Sequence, residues 1–203
     1  TLTAALTRFD DAAPCDLLIV NAGIERGPEP GAAAERPEDM ARVIDVNLTG
    51  VWKVARAVAP AMIEQKSGAM VFVGSVLSHR ANRQFAHYTA AKHGLVGLTK
   101  ALAVEYLDAP LRVNCVCPGG MDTPQVHMID VPEGANWDLI MRISAKRGFM
   151  TADSVAAVVA FLASDDASFI TGEDIAVDGG FLAAGAARRI SLESGINLTA
   201  GTE

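Results

Sequence analysis

Tyr88 and Lys92 stand four residues apart in SHRANRQFAHYTAAKHG, residues 78–94, and Ser75 lies 13 residues before the tyrosine in VFVGSV. On a helix, residues i and i+4 share one face with Cβ atoms roughly 5–6 Å apart, so Lys92 would hold a cation beside the Tyr88 phenol. A free phenol titrates near ~10, too high for easy proton exchange at neutral pH. Lowering that value by about two units takes roughly 2.7 kcal/mol of preferential stabilisation of the phenolate. One ammonium in a partly dry cleft supplies much of it. Ser75, at the end of a strand, could hydrogen-bond a substrate oxygen and fix its place. The chemistry on offer is proton exchange with a carbonyl or alcohol oxygen. A surface helix also carries Tyr-x-x-x-Lys pairs, so the surrounding elements must decide.

Those elements alternate. After Pro14, CDLLIV reads as a strand buried on both faces, because it is apolar without alternation. It ends in NAG and a loop rich in Gly and Pro. A long amphipathic helix is predicted from about 38 to 65, with Val43, Val46, Val51, Val54 and Val58 on its apolar side. SGAMVFVGS repeats the strand signature, and a second long helix is predicted over 86–107. LRVNCVCPGG is a third buried strand, stopped by Pro-Gly-Gly. Residues 124–147 read as a loop with short helical pieces, TADSVAAVVAFLAS as a helix capped by Thr151, and EDIAVDGG as a fourth strand. The first dozen residues read as the end of a helix, and the tail 186–203 as a surface or inter-subunit arm. This order predicts an α/β fold with a parallel sheet covered by helices on both faces. Right-handed crossovers then bring the loops after the strands to one edge, where open sheets of this kind bind ligands. Asn21, Ser75 and the segment Pro118–Thr123 all fall there.

The bulk properties narrow the function. A chain of 203 residues, half of them apolar and a fifth charged, suffices for one domain with a substantial core. A net charge of −7 argues against a nucleic-acid surface. Cys115 and Cys117 alternate along a strand and share a face, which predicts buried free thiols in a reducing compartment. The four histidines form no HxxxH pair, and no zinc ligand set is legible. No apolar run approaches the ~20 residues of a membrane span, and the start lacks a signal pattern. A cytoplasmic protein is expected, which makes the sequons at Asn47 and Asn197 chance matches.

Six segments together resemble the short-chain dehydrogenase/reductase family, in the compact single-domain branch that includes 3-oxoacyl-carrier-protein reductases. NAG at 21–23 is similar to the family's NNAG motif, with Val20 in place of the first Asn. DVNLTG is similar to its active-site Asn segment, GS and YTAAK to its Ser and YxxxK. CPGGMDTP resembles its PG motif, and SFITGEDIAVDGG its closing strand. The resemblance implies strands 4–7 of a Rossmann-like sheet of order 3-2-1-4-5-6-7, and hydride transfer between NAD or NADP and a small alcohol or ketone. By it, Tyr88 is the general acid in reduction and the base in oxidation. Lys92 lowers the phenol's pKa and bonds the nicotinamide ribose, Ser75 orients the carbonyl, and Asn47 holds a water linking Lys92 to solvent. Asn21, Ala22 and Gly23 line the cofactor. Pro118, Gly119, Thr123 and the backbone at Met121 face the carboxamide and pyrophosphate. The 124–147 segment is the substrate lid, and the two long helices are similar to the pair that forms homodimers or homotetramers.

The family's opening TGxxxGxG turn has no match here; GIERGPEPG has glycines, but no helix start follows. About three strands and two helices are therefore expected to be missing before Thr1. Residues 1–185 would be an incomplete dehydrogenase domain that binds cofactor poorly by itself. Two other readings stand beside this one: a non-catalytic scaffold with the same fold, and an epimerase or dehydratase of the extended relatives.

Overall fold

The computed structural model describes residues 15–25, 33–123 and 149–184. The predicted helix end over the first dozen residues, the lid at 124–147 and the arm at 186–203 lie outside the described residues. The rest forms a parallel sheet of four strands in the order β1-β2-β3-β4. β1 spans Leu17–Val20, β2 Gly68–Val73, β3 Leu111–Pro118 and β4 Asp174–Val177. In register, Val20 faces Phe72, Phe72 faces Cys115, and Cys115 faces Asp174.

Side chains alternate along each strand, so the sheet splits the core in two. On one face Met70, Phe72, Val113, Cys115 and Cys117 pack under helices that supply Val51, Ala55, Val58, Leu95 and Leu102. On the other, Val71 and Val116 meet Val155, Val159 and Leu162. The near-continuous apolar runs of β2 and β3 thus mark strands covered on both sides. β1 differs: Leu17 and Ile19 are 38% and 46% exposed, while Leu18 and Val20 pack against the first cluster.

The helices are α1 Pro37–Ile44, α2 Gly50–Glu64, α3 Ala86–Glu105, α4 Ala152–Ala163 and the short α5 Phe181–Ala184. The single helix predicted over 38–65 is in fact two helices joined by a π turn at Asp45–Thr49. Val43, Val51 and Val58 are buried on its apolar side as predicted, with Val46 and Val54 half-buried. The wider turn adds one residue per hydrogen-bonded loop, a distortion frequent at functional sites; here it carries Asn47. α3 lies close against this turn because Gly94 has no side chain: a Cβ there would sit 2.8 Å from Leu48. The third helix ends at Glu105, two residues short of expectation. Thr151 does precede α4, but its hydroxyl meets Ser154 Oγ at 3.2 Å and makes no capping bond to the backbone.

β3 is held to the segment before β4 by side chains. Asn114 Nδ2 donates to the Ile170 carbonyl at 2.8 Å, and its Oδ1 accepts from Glu173 N–H at 3.0 Å. The Arg112 guanidinium donates to the Leu162 and Ser164 carbonyls at the end of α4. These bonds satisfy backbone groups that a loop would otherwise bury unpaired.

Candidate active site

The carboxyl ends of β1, β2 and β3 lie side by side, and each hands the chain to a short turn. After β2, Ser75 opens a single 3-10 turn, Val76–Ser78: its Oγ accepts from Leu77 N–H at 3.1 Å, and its own N–H donates to Ser78 Oγ at 3.2 Å. That capping box sets the Ser75 hydroxyl at the strand end, where it is close enough to the Tyr88 phenol to favour its ionised form. Tyr88 sits in the first turn of α3 and Lys92 one turn further, with Nζ 5.5 Å from the Tyr88 ring centroid. The spacing argument therefore holds: Ser75, Tyr88 and Lys92 meet.

Lys92 is 5% exposed, and its ammonium donates to the Val73 carbonyl at 2.7 Å. Burial pushes its pKa down, and the nearby Cys115 and Cys117 sulfurs oppose that. The two thiols are fully buried, 3.9 Å apart, as their spacing predicted; Cys15 is exposed. The downward shift expected at Tyr88 is not what the surroundings produce. Its phenol is pushed up to about 12, first by burial and next by the Glu25 carboxylate, with the Ser75 hydroxyl pulling the other way. Withdrawal of the phenolate from water outweighs a cation whose own bond is spent on a backbone carbonyl.

Asn47, 1% exposed, is wired to the turn after β1: Oδ1 accepts from Ile24 N–H and Nδ2 donates to the Ile24 carbonyl, both at 2.8 Å. The Asn47 side chain thus clamps the backbone of the turn after β1. Between them sits Gly23, where a Cβ would lie 3.4 Å from Asn47 Oδ1 and 3.7 Å from Lys92 Nζ. Asn21 and Ala22 are exposed just before it. Removing the clamp in Asn47→Ala leaves two Ile24 backbone groups without their partner. At about 1–3 kcal/mol per unmet buried group, reduced by access of water, the expected loss is about 1–3 kcal/mol. A lowered Tm and faster amide exchange at Ile24 check it.

After β3, Pro118 is buried and Gly119 lies against Asp178, whose Cα would be 3.1 Å from a Cβ at Gly119. Gly119 N–H donates to the Val177 carbonyl at 2.9 Å. Met121 pairs with Met150 as an isolated parallel bridge, flanked by Asp122 N–H to the Met150 carbonyl at 2.9 Å, and Thr123 follows half-buried. The segment Pro118–Thr123 thus borders the same edge as Asn21–Gly23. Missing from the sequence reading are Glu25, Glu35 and His87. His87 is 1% exposed with Nδ1 2.6 Å from Glu35 Oε1. A histidine one residue before the tyrosine, on the side of α3 shared with Ala91 and Leu95, was the available signal.

Among the described residues no group of three His, Cys, Asp or Glu side chains is placed to hold a metal ion, and no helix is long and apolar enough to cross a membrane. A family model described as enoyl-(acyl carrier protein) reductase matches residues 3–182. The chain is 40% identical over 167 residues to 3-oxoacyl-[acyl-carrier-protein] reductase FabG of Thermotoga maritima, covering 82% of this chain and 66% of that protein. It is 38% identical over 175 residues to oxidoreductase UcpA of Escherichia coli K12, covering 81% and 64%. The chain therefore spans just under two thirds of the length of these relatives. Among solved structures, levodione reductase superposes with a TM-score of 0.83 at 34% identity, over 90% of this chain and 73% of that one. An α/β parallel sheet with a Ser, a Tyr and a Lys gathered at its carboxyl edge, together with these matches, places the chain in the short-chain dehydrogenase/reductase family.

Proposed function

We propose that the protein moves a hydride between NAD(H) or NADP(H) and a small alcohol or ketone, with Tyr88 as the proton donor in reduction and the acceptor in oxidation. The observation that carries this reading is the Lys92 ammonium 5.5 Å from the Tyr88 ring, with the Ser75 hydroxyl at the adjoining strand end near the phenol. The strand-end backbone suits the nicotinamide end of such a cofactor, because Gly23 leaves bare the space a Cβ would take between Asn47 and Lys92. Asn21, Ala22, Gly23, Pro118, Gly119, Met121 and Thr123 would line it. The nicotinamide supplies the hydride when bound. Everything else falls to this chain.

Ser75 positions the substrate oxygen beside the phenol. Tyr88 gives that oxygen its proton as negative charge develops there, a positioned acid worth typically ~10²–10⁴ in rate. Lys92 places positive charge under the ring that is left anionic, and Asn47 holds the β1 turn in place. A phenol whose pKa stands near 12 keeps its proton at neutral pH, the state that reduction draws on.

The dehydrogenase domain of this reading covers residues 1–185, with 124–147 as the substrate lid and 186–203 as an arm. Trp52 (41% exposed), Ile63, Val104 (67% exposed) and Leu107 leave apolar surface on α2 and at the end of α3. That surface supports a homodimer or homotetramer; work in the cytoplasm, with no nucleic-acid or membrane partner, is part of the same proposal. The test is loss of NADH or NADPH absorbance in the full-length protein against a panel of small ketones. Turnover with at least one ketone is expected; no turnover with either cofactor, together with no change in cofactor fluorescence on adding protein, removes the proposal.

A further inference from the structure

α3 carries Tyr88 in its first turn, yet its own sequence does little to hold that turn. Phe85 at the N-cap makes no side-chain capping bond, and no acidic residue stands in the first turn. A helix start leaves amide groups unpaired and carries partial positive charge, which a nearby carboxylate offsets. Here the carboxylate comes from a remote segment. Glu35, the residue before the N-cap of α1, has its side chain 8% exposed and places Oε1 2.6 Å from Nδ1 of His87, the second residue of α3. This is a close contact rather than an aligned hydrogen bond, and His87 Nε2 has no hydrogen-bond partner among the described residues. A carboxylate buried this far is costly unless compensated, and the imidazole and the helix start are what the fold sets against it.

The contact is one of two that pin α1 and its π turn to α3. At the far end of α1, Leu48 in that turn lies against Gly94, where a Cβ would come within 2.8 Å of it. His87, Ala91 and Leu95 are buried at helical spacing, and Gly94 falls on the same side. α1 thus lies along two turns of one face of α3. Tyr88 and Lys92 sit roughly 100° further around that helix. Glu35 is itself steadied, because the next residue, Arg36, donates from Nε to Asp39 Oδ2 at 2.7 Å across the first turn of α1.

Resting on the proposed role of Tyr88, we propose that Glu35 and His87 are positioning residues: they hold the first turn of α3 wound and rotated so that the Tyr88 hydroxyl stays beside the substrate oxygen. Neither side chain touches the reacting atoms in this scheme. Glu35 acts through His87, and His87 through the helix backbone it shares with Tyr88. A misplacement of about 1 Å at a reacting group costs up to about 10²-fold in rate. The bond that opens first without the pair is the start of the α3 ladder, from Thr89 N–H to the Phe85 carbonyl at 2.8 Å.

The test is amide hydrogen exchange of the full-length protein, read at Thr89, alongside steady-state ketone reduction well below the melting temperature. In Glu35→Ala, Thr89 exchange rises about tenfold and kcat falls about tenfold, while KM for the cofactor stays within about threefold of wild type. Glu35→Gln, which keeps an oxygen toward His87, recovers part of both losses. Adding Glu35→Ala to His87→Ala changes little further, since each removes the same contact. A role confined to stability lowers Tm and leaves kcat as it was, and that result overturns the inference. So does unchanged Thr89 exchange in folded Glu35→Ala, or a double variant whose two losses multiply. A wild-type Thr89 amide exchanging as fast as in an unfolded chain overturns it with no variant needed. Exchange reports the helix and not turnover, so failure of the Tyr88 role shows separately, as full activity in Tyr88→Phe, whichever way Thr89 behaves.

Discussion

Tyr88→Phe lowers kcat/KM for ketone reduction in the full-length protein by about 10²–10⁴, the loss expected when a positioned general acid is removed. The substitution deletes one hydroxyl and keeps the ring that stands over the Lys92 ammonium. The fold should therefore survive. Ser75 keeps its bonds to Leu77 N–H and Ser78 Oγ, so its 3-10 turn is preserved. Cofactor binding should stay within a few-fold of wild type, because the residues proposed to line the nicotinamide are untouched. Loss of turnover with intact binding is the signature of a group acting on the proton alone. A variant whose turnover stays within about threefold of wild type would remove Tyr88 from the mechanism.

Phe72→Ala is expected to cost about 3–5 kcal/mol of stability, the usual penalty for emptying a fully buried aromatic site. Phe72 is 0% exposed at the centre of the sheet, with Val20 and Cys115 as its cross-strand neighbours. Strands on both sides hold the backbone, so collapse of the cavity is limited. For a chain of this size each kcal/mol moves Tm by about 2–4 °C, giving a fall of roughly 6–20 °C by calorimetry. A shift under about 3 °C would mean that the first core cluster can refill the void, which the close packing of Met70, Leu95 and Cys115 there argues against. The same change reaches the site, since β2 ends two residues before Ser75.

Much of the architecture was legible because strands covered on both faces must be apolar at consecutive positions. The runs at 68–73 and 111–118 could be read without knowing what covers them, and the turns that stop them located the edge where the candidate site lies. The Tyr88–Lys92 spacing was equally legible, since helix periodicity is local. The break at Asp45–Thr49 was not: the apolar pattern of Val43, Val51 and Val58 runs through it, and the close approach of α3 at Gly94 to Leu48 in that turn is a long-range contact.

The protonation of Tyr88 marks the boundary most clearly. From residue types alone, a lysine one turn away argues for a more acidic phenol. In the folded chain that lysine donates to Val73, and a glutamate 63 positions earlier in the chain lies near the ring. Residue order alone determined which elements form, where the strands end and which side chains share a helix face, because these depend on interactions within a few positions. Only the tertiary structure decided the burial of the phenol, the clamp from Asn47 to Ile24 and the contact of Glu35 with His87. Electrostatic work depends on distance and on the loss of water, and neither is set until segments remote in the chain have packed together.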